Sequence, residues 1–90
     1  SDVLLKIRQC KRSGGTHIDF SNLKLTSFPT ELFELTTLES IDLSNNTLST
    51  LEKIAVFQNL WELILSNNKI SVLPEGIKEL SNLETLRLDG

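Results

Sequence analysis

Methionine and tyrosine are absent from this sequence of 90 residues, which holds one cysteine, one tryptophan, one histidine and two prolines. A lone cysteine, Cys10, closes no intrachain disulfide, so cross-links contribute nothing to stability. With no CxxC partner and a single histidine, Cys10 is expected to pack in the core rather than to bind metal or carry redox chemistry. Small secreted domains usually depend on disulfides, so a reducing compartment, the cytoplasm, is the expected location. No apolar run approaches the roughly 20 residues of a membrane span, which excludes a transmembrane helix within the chain. Positive charge is also scarce: net charge is −3 and the pI about 5.0, so no global field gathers phosphates. The one basic cluster, Lys6, Arg8, Lys11 and Arg12, lacks the aromatic neighbours that stack nucleic-acid bases and reads as a solvated helix face.

What the chain has in excess is leucine, 18 of 90 residues, and the leucines are spaced. Leu38, Ile41, Leu43, Asn46 and Leu48 fit the pattern LxxLxLxxNxL. Leu60, Leu63, Leu65, Asn68 and Ile70 repeat it, and Leu83, Leu86 and Leu88 begin it again. A degenerate copy precedes them, with Gly15, Ile18, Phe20, Leu23 and Leu25 in the same slots. The starts at 15, 38, 60 and 83 give periods of 23, 22 and 23 residues, a self-similarity that defines a solenoid.

This pattern resembles the leucine-rich-repeat family over essentially all of residues 15–90. The connections through Leu25, Phe28, Pro29, Leu32, Leu35 and Leu38, and through Ile70, Leu73, Pro74, Ile77, Leu80 and Leu83, resemble the 23-residue intracellular, Ras-suppressor-like class. The middle connection through Leu48, Leu51, Ile54, Phe57 and Leu60 lacks the proline, is one residue shorter, and resembles the 22-residue class of type-1 phosphatase regulators. The resemblance implies an α/β solenoid, a short horseshoe segment with parallel strands on its concave face.

Elementary physics reaches the same architecture. Alternation in Ile41-Asp42-Leu43 and Leu63-Ile64-Leu65 gives short strands with one buried face. Each coil is too small to be stable alone, so coils must stack and share a core. Asn46 and Asn68 sit where the chain leaves the strand, and their amides can satisfy backbone groups of their own and the next coil. Pro29 and Pro74 discourage a regular helix at the start of the return segment, so irregular or 3₁₀ turns are expected there. Residues 1–14 read as a capping helix, with Asp2 as N-cap, Val3, Ile7 and Cys10 on one stripe, Lys11 and Arg12 against the C-terminal dipole, and Gly14 and Gly15 as the stop. Residues 15–90 then hold about three and a half repeats, with Leu86 and Leu88 on an edge strand open to self-association.

Because the leucines serve the core, function has to be sought among the strand residues that alternate with them. The candidate partner-binding residues on the concave face are His17, Asp19, Ser40, Asp42, Glu62, Ile64, Thr85 and Arg87, with Trp61 just before the third strand. Asp19 and Asp42 make an acidic patch, and Ile64 with Trp61 an apolar anchor, which together fit another protein with a basic and apolar segment. A Ser-His-Asp set can be written from Ser21, His17 and Asp19, yet residues two apart on a strand lie about 6.5–7 Å apart, too far for a relay. No catalytic, metal or cofactor site is expected, and two carboxylates are too few for calcium. Asn45-Asn46-Thr47 matches a glycosylation sequon, a pattern short enough to arise by accident. The expected function is a protein–protein interaction module or signalling scaffold; the alternatives are a structural cap or spacer with no ligand of its own, and an extracellular recognition domain.

Overall fold

The computed structural model describes residues 2–90, which form one stack of coils. Helix α1 (Asp2–Ser13) leads into four three-residue strands: β1 (His17–Asp19), β2 (Ser40–Asp42), β3 (Glu62–Ile64) and β4 (Thr85–Arg87). They form one parallel sheet in chain order, with Ile18, Ile41, Leu63 and Leu86 in register. Short 3₁₀ helices at Thr30–Glu34, Ile54–Val56 and Glu75–Glu79 return the chain on the convex side, the first and third directly after Pro29 and Pro74 as expected there. The α/β solenoid expected from the repeat is the fold observed.

The core is a single cluster in which Leu38, Ile41, Leu43, Leu48, Phe57, Leu60 and Leu63 have no exposed surface. Each such side chain contributes on the order of 1.5–3 kcal/mol relative to exposure. Polar groups inside the turn are handled by two asparagines. Asn46 Oδ1 accepts the backbone N–H groups of Leu23 and Leu25 at 3.1 and 3.0 Å, while its Nδ2 donates to the carbonyls of Phe20, Leu43 and Ser44. Asn68 repeats the device one coil on, accepting from Leu48 N–H at 3.0 Å and donating to the carbonyls of Leu43, Leu65 and Ser66. The direction corrects the sequence reading: each amide reaches back to the preceding coil, not forward to the next. In the first coil Leu23 occupies the asparagine slot, and among the described residues the element before that coil is α1.

A second ladder runs beside the first. Asn22, Asn45 and Asn67 all take left-handed backbone angles, φ 58–59°, and Gly90 continues the column at φ 93°. Asparagine tolerates this region better than other non-glycine residues. Asn67 Nδ2 donates to Asn45 Oδ1 at 2.9 Å, and a Cβ on Gly90 would fall 2.0 Å from Asn67 Oδ1. The sequon residue Asn45 is thus part of an intercoil contact. In the middle coil the missing proline has a local consequence: Lys53 stands before the 3₁₀ helix with φ 52°, where Pro29 and Pro74 are extended. Phe28, Phe33 and Phe57 stack across the convex side of these two coils, with centroids 5.0–6.1 Å apart.

At the N-terminal end α1 buries Ile7 and Cys10 against the first coil, with Val3 half-buried beside them. Asp2 lies in the first turn rather than at the cap, where its charge still complements the helix dipole. The helix closes as expected: Gly15 N–H bonds to Cys10 C=O at 3.0 Å, Gly14 N–H to Lys11 C=O, and Gly14 takes φ 66°. At the other end Leu88 is 46% exposed and Val72 76% exposed, and a cavity of about 160 Å³ opens among Leu65, Asn68, Ile70, Ser71, Leu73 and Leu88.

Two outcomes follow from this packing. Asn46→Leu strips the Leu23 and Leu25 N–H groups and the Phe20 carbonyl of their partner, while the Leu43 and Ser44 carbonyls keep Asn68 Nδ2 and Asn22 N–H, and each unsatisfied buried group costs on the order of 1–3 kcal/mol. It should lower the urea midpoint more than Asn68→Leu, and both more than Ser66→Ala, whose hydroxyl contacts only the exposed Asp89. Equal midpoints for the three would contradict the ladder. Appending one consensus repeat with a polar outer face should cover Leu88 and Leu73 and raise the thermal midpoint of the chain, since stability in stacked coils is set by nearest neighbours; an unchanged melt would mean that the edge was already satisfied.

Candidate functional site: the concave strand face

Parallel register turns the outward strand positions into straight columns. Asp19, Asp42, Ile64 and Arg87 stand side by side from coil to coil, and His17, Ser40, Glu62 and Thr85 form the column beside them. The spacing between rungs is about 4.8 Å, that of hydrogen-bonded strands. Backbone bonds extend the ladder at both ends of the strands: at the start, Glu39 and Ser40 N–H bond to Thr16 C=O, Trp61 and Glu62 N–H to Glu39 C=O, and Glu84 and Thr85 N–H to Trp61 C=O; at the finish, Phe20 N–H bonds to Asp42 C=O, Leu43 N–H to Ile64 C=O and Leu65 N–H to Arg87 C=O.

Asp19 and Asp42 are held alike. Asp19 Oδ1 accepts Ser21 N–H at 2.8 Å and Ser21 Oγ–H at 2.6 Å; Asp42 Oδ1 accepts the same pair from Ser44 at 2.9 and 2.7 Å. Each carboxylate is thereby held in orientation through one oxygen. The Ser21 hydroxyl and then the Ser21 N–H hold the Asp19 carboxyl below its ordinary range, with a smaller contribution from the charge of Lys6. Neither aspartate, nor Glu39 or Glu62, enters an ion pair among the described residues. At the third rung the charge stops: Ile64 is half-buried, and Trp61, also half-buried, stands before the strand in line with Glu39 and Glu84. The fourth rung is basic, with Arg87 Nε 3.8 Å from Asp89.

One candidate does not present itself. Ser40 is 7% exposed, because its hydroxyl donates to Glu62 Oε1 at 2.6 Å across the strands. It serves to orient Glu62 and is not a contact residue. His17 is exposed and its Nδ1 lies 2.9 Å from Thr16 Oγ1, while Ser21 is taken by Asp19, so His17, Asp19 and Ser21 form no relay. No group of three His, Cys, Asp or Glu side chains among the described residues is placed to hold a metal ion. Sequence reasoning missed the Asp-x-Ser turn at Asp19-Ser21 and Asp42-Ser44, although the repeated spacing carried the signal. It also omitted Glu39 and Glu84, which share a column with Trp61.

The lowered Asp19 pKa fixes the sign of one measurement. A carboxyl depressed in the fold stabilises it above the unfolded pKa and loses that contribution as pH falls through the folded value. Asp19→Asn should therefore cost stability near pH 7, by less than about 1 kcal/mol because the site is exposed to solvent. The gap between parent and variant should close as pH drops through and below the ordinary aspartate range, and urea melts in which it is pH-independent would contradict the assignment.

With this geometry in place, comparison with known proteins is informative. Residues 37–60 and 59–80 match the family model described as Leucine Rich Repeat. The chain is 41% identical over 72 residues to "Volume-regulated anion channel subunit LRRC8D" of Rattus norvegicus, covering 77% of this chain and 8% of that protein. It is 37% identical over 82 residues to "Volume-regulated anion channel subunit LRRC8A" of Homo sapiens, covering 88% of this chain and 10% of that protein. A third relative, "Geranylgeranyl transferase type-2 subunit alpha" of Mus musculus, is 38% identical over 77 residues, 83% of this chain and 14% of the other. The chain thus spans a small part, 8–14%, of the length of these relatives.

Proposed function

This chain is a stretch of leucine-rich repeats, and from that premise we propose that it is a protein-interaction module whose concave strand face docks another protein. The observation that supports this most is the order along one column: two oriented carboxylates outside any ion pair at Asp19 and Asp42, then the apolar step of Ile64, with the half-buried Trp61 just before the same strand. Neither carboxylate enters an ion pair among the described residues, so both are open to a cationic group of a partner. The partner is a protein segment carrying a basic side chain and an apolar one, the second seated on Ile64 and Trp61 where aromatic anchors concentrate binding energy.

The module would serve as a binding scaffold in signalling rather than as an enzyme, in the cytoplasm, where the buried free thiol of Cys10 stays reduced. The prolines at Pro29 and Pro74 and the 23-residue spacing favour the Ras-suppressor-like subclass for the outer coils. No helix among the described residues is long and apolar enough to cross a membrane. The relatives named as channel subunits support a second reading for the protein as a whole: this segment would be the repeat portion of a larger membrane assembly.

Affinity capture from cell extract with the parent chain, with Asp42→Lys/Ile64→Asp, and with the convex control Glu52→Lys/Lys53→Glu tests the reading. Proteins retained by the parent and the convex control should be lost with the concave variant. An identical set for all three favours a spacer without a specific ligand.

A further inference from the structure

Charge is divided unevenly along the chain. Residues of α1 carry four basic side chains against one acidic, a net +3, while the rest carries five against eleven, a net −6. The inward stripe of α1 is Val3, Ile7 and Cys10, so the opposite face centres on Leu5, Arg8 and Arg12, with Asp2 at its flank, all of them exposed. Leu5 is 54% exposed, and a shallow groove lies among Leu5, Arg8, Gln9 and Arg12. Arg8 and Arg12 stand one turn apart as an i,i+4 pair of like charge and enter no ion pair among the described residues.

This stripe is the complement of the concave column. Read along the helix it runs acidic, apolar, basic, basic; read from the fourth coil to the first the column runs Arg87, Ile64, Asp42, Asp19. The steps also agree. Three helical residues advance about 4.5 Å and one strand rung about 4.8 Å, so Asp2 to Leu5 and Leu5 to Arg8 each span one rung. Asp2 to Arg12 spans about 15 Å against about 14.4 Å for three rungs. We propose that the outer stripe of α1 in one copy of this chain docks along the concave face of a second copy, Asp2 facing Arg87, Leu5 on Ile64, Arg8 at Asp42 and Arg12 at Asp19. The contact rests on the reading of the concave face as a docking surface and names a second copy as an occupant. Asp42 is the principal anionic rung, since Lys6 of its own chain already lies near Asp19.

Sedimentation equilibrium of the full chain at low and high salt tests it, using three samples: the parent, Arg8→Asp/Arg12→Asp, and Asp19→Arg/Asp42→Arg, with circular dichroism to verify that each is folded. The parent should self-associate and weaken on the order of tenfold or more on raising salt from about 20 to 500 mM, because the pairs are exposed and screened. Each reversed variant alone should be monomeric, and an equimolar mixture of the two should associate again, since the reversed helix then meets the reversed face. If a reversed variant fails to fold, the neutral Arg8→Gln/Arg12→Gln form should still associate more weakly than the parent. A monomeric parent at low salt, association indifferent to salt and to helix reversal (the mark of contact through the apolar Leu88 edge), or no recovery on mixing would each overturn the proposal. Where affinity capture loses proteins with the concave variant but the parent is monomeric, self-docking fails and the docking surface stands.

Discussion

The structure depends on how the polar backbone inside each turn is satisfied. A coil that leaves its strand must bend inward, and the bend carries N–H and C=O groups into the core where water does not reach. Asn46 and Asn68 resolve this with one side chain each, an acceptor turned to the preceding coil and donors shared between that coil and its own. A primary amide is neutral and sets two N–H donors apart from its acceptor oxygen, whereas leucine offers neither function and an ionised aspartate only accepts, so neither could replace it. Because the bonds cross from coil to coil, they also fix the stacking distance and register. Hydrophobic burial supplies the magnitude of stability, and the amides decide which stack receives it.

Register then makes function possible. Once Ile18, Ile41, Leu63 and Leu86 align, every outward residue falls into a column whose order is the order of coils. The strands are only three residues long, so the face is assembled from one or two side chains per coil and can be rewritten without touching the core. The Asp-x-Ser turns illustrate the separation. Ser21 and Ser44 fix the carboxylates of Asp19 and Asp42 using groups outside the core, so the face is oriented before any partner arrives.

Most of the fold was legible because a 22–23-residue period repeats the same decision several times, so chance coincidences cancel. The capping helix, the 3₁₀ returns and the column order came from local rules applied residue by residue. What escaped depended on contacts between coils. Ser40 alternates as an outward residue should, yet its hydroxyl is drawn down onto Glu62 of the neighbouring strand, and no single-strand rule contains that partner. The direction of the Asn46 and Asn68 bonds was likewise invisible, since a sequence states which groups can bond but not which coil lies behind. The left-handed column at Asn22, Asn45, Asn67 and Gly90 was readable in principle: the same residue type recurs at one slot, ending in the one residue that fits without a Cβ.

Stacked coils and helices share a geometric property that bears on what such a face can recognise. A strand rung and three helical residues advance by nearly equal distances, and the mismatch of about 0.3 Å per rung amounts to only about 1 Å over the column of four. A helix laid along the stack can therefore keep pace with it, presenting one side chain to each coil with little strain. Discrimination then comes from the order of charges, because reversing the helix would set Arg12 against Arg87 and Asp2 against Asp19. Both mismatches place like charges together, and their cost adds to the loss of the favourable pairs. An apolar step at Ile64 that is off centre sharpens this, since Leu5 meets it in one direction and Arg8 or Gln9 in the other. The order of charges on the concave face is therefore directional, and in the proposed docking it would favour one orientation of a partner helix over the other.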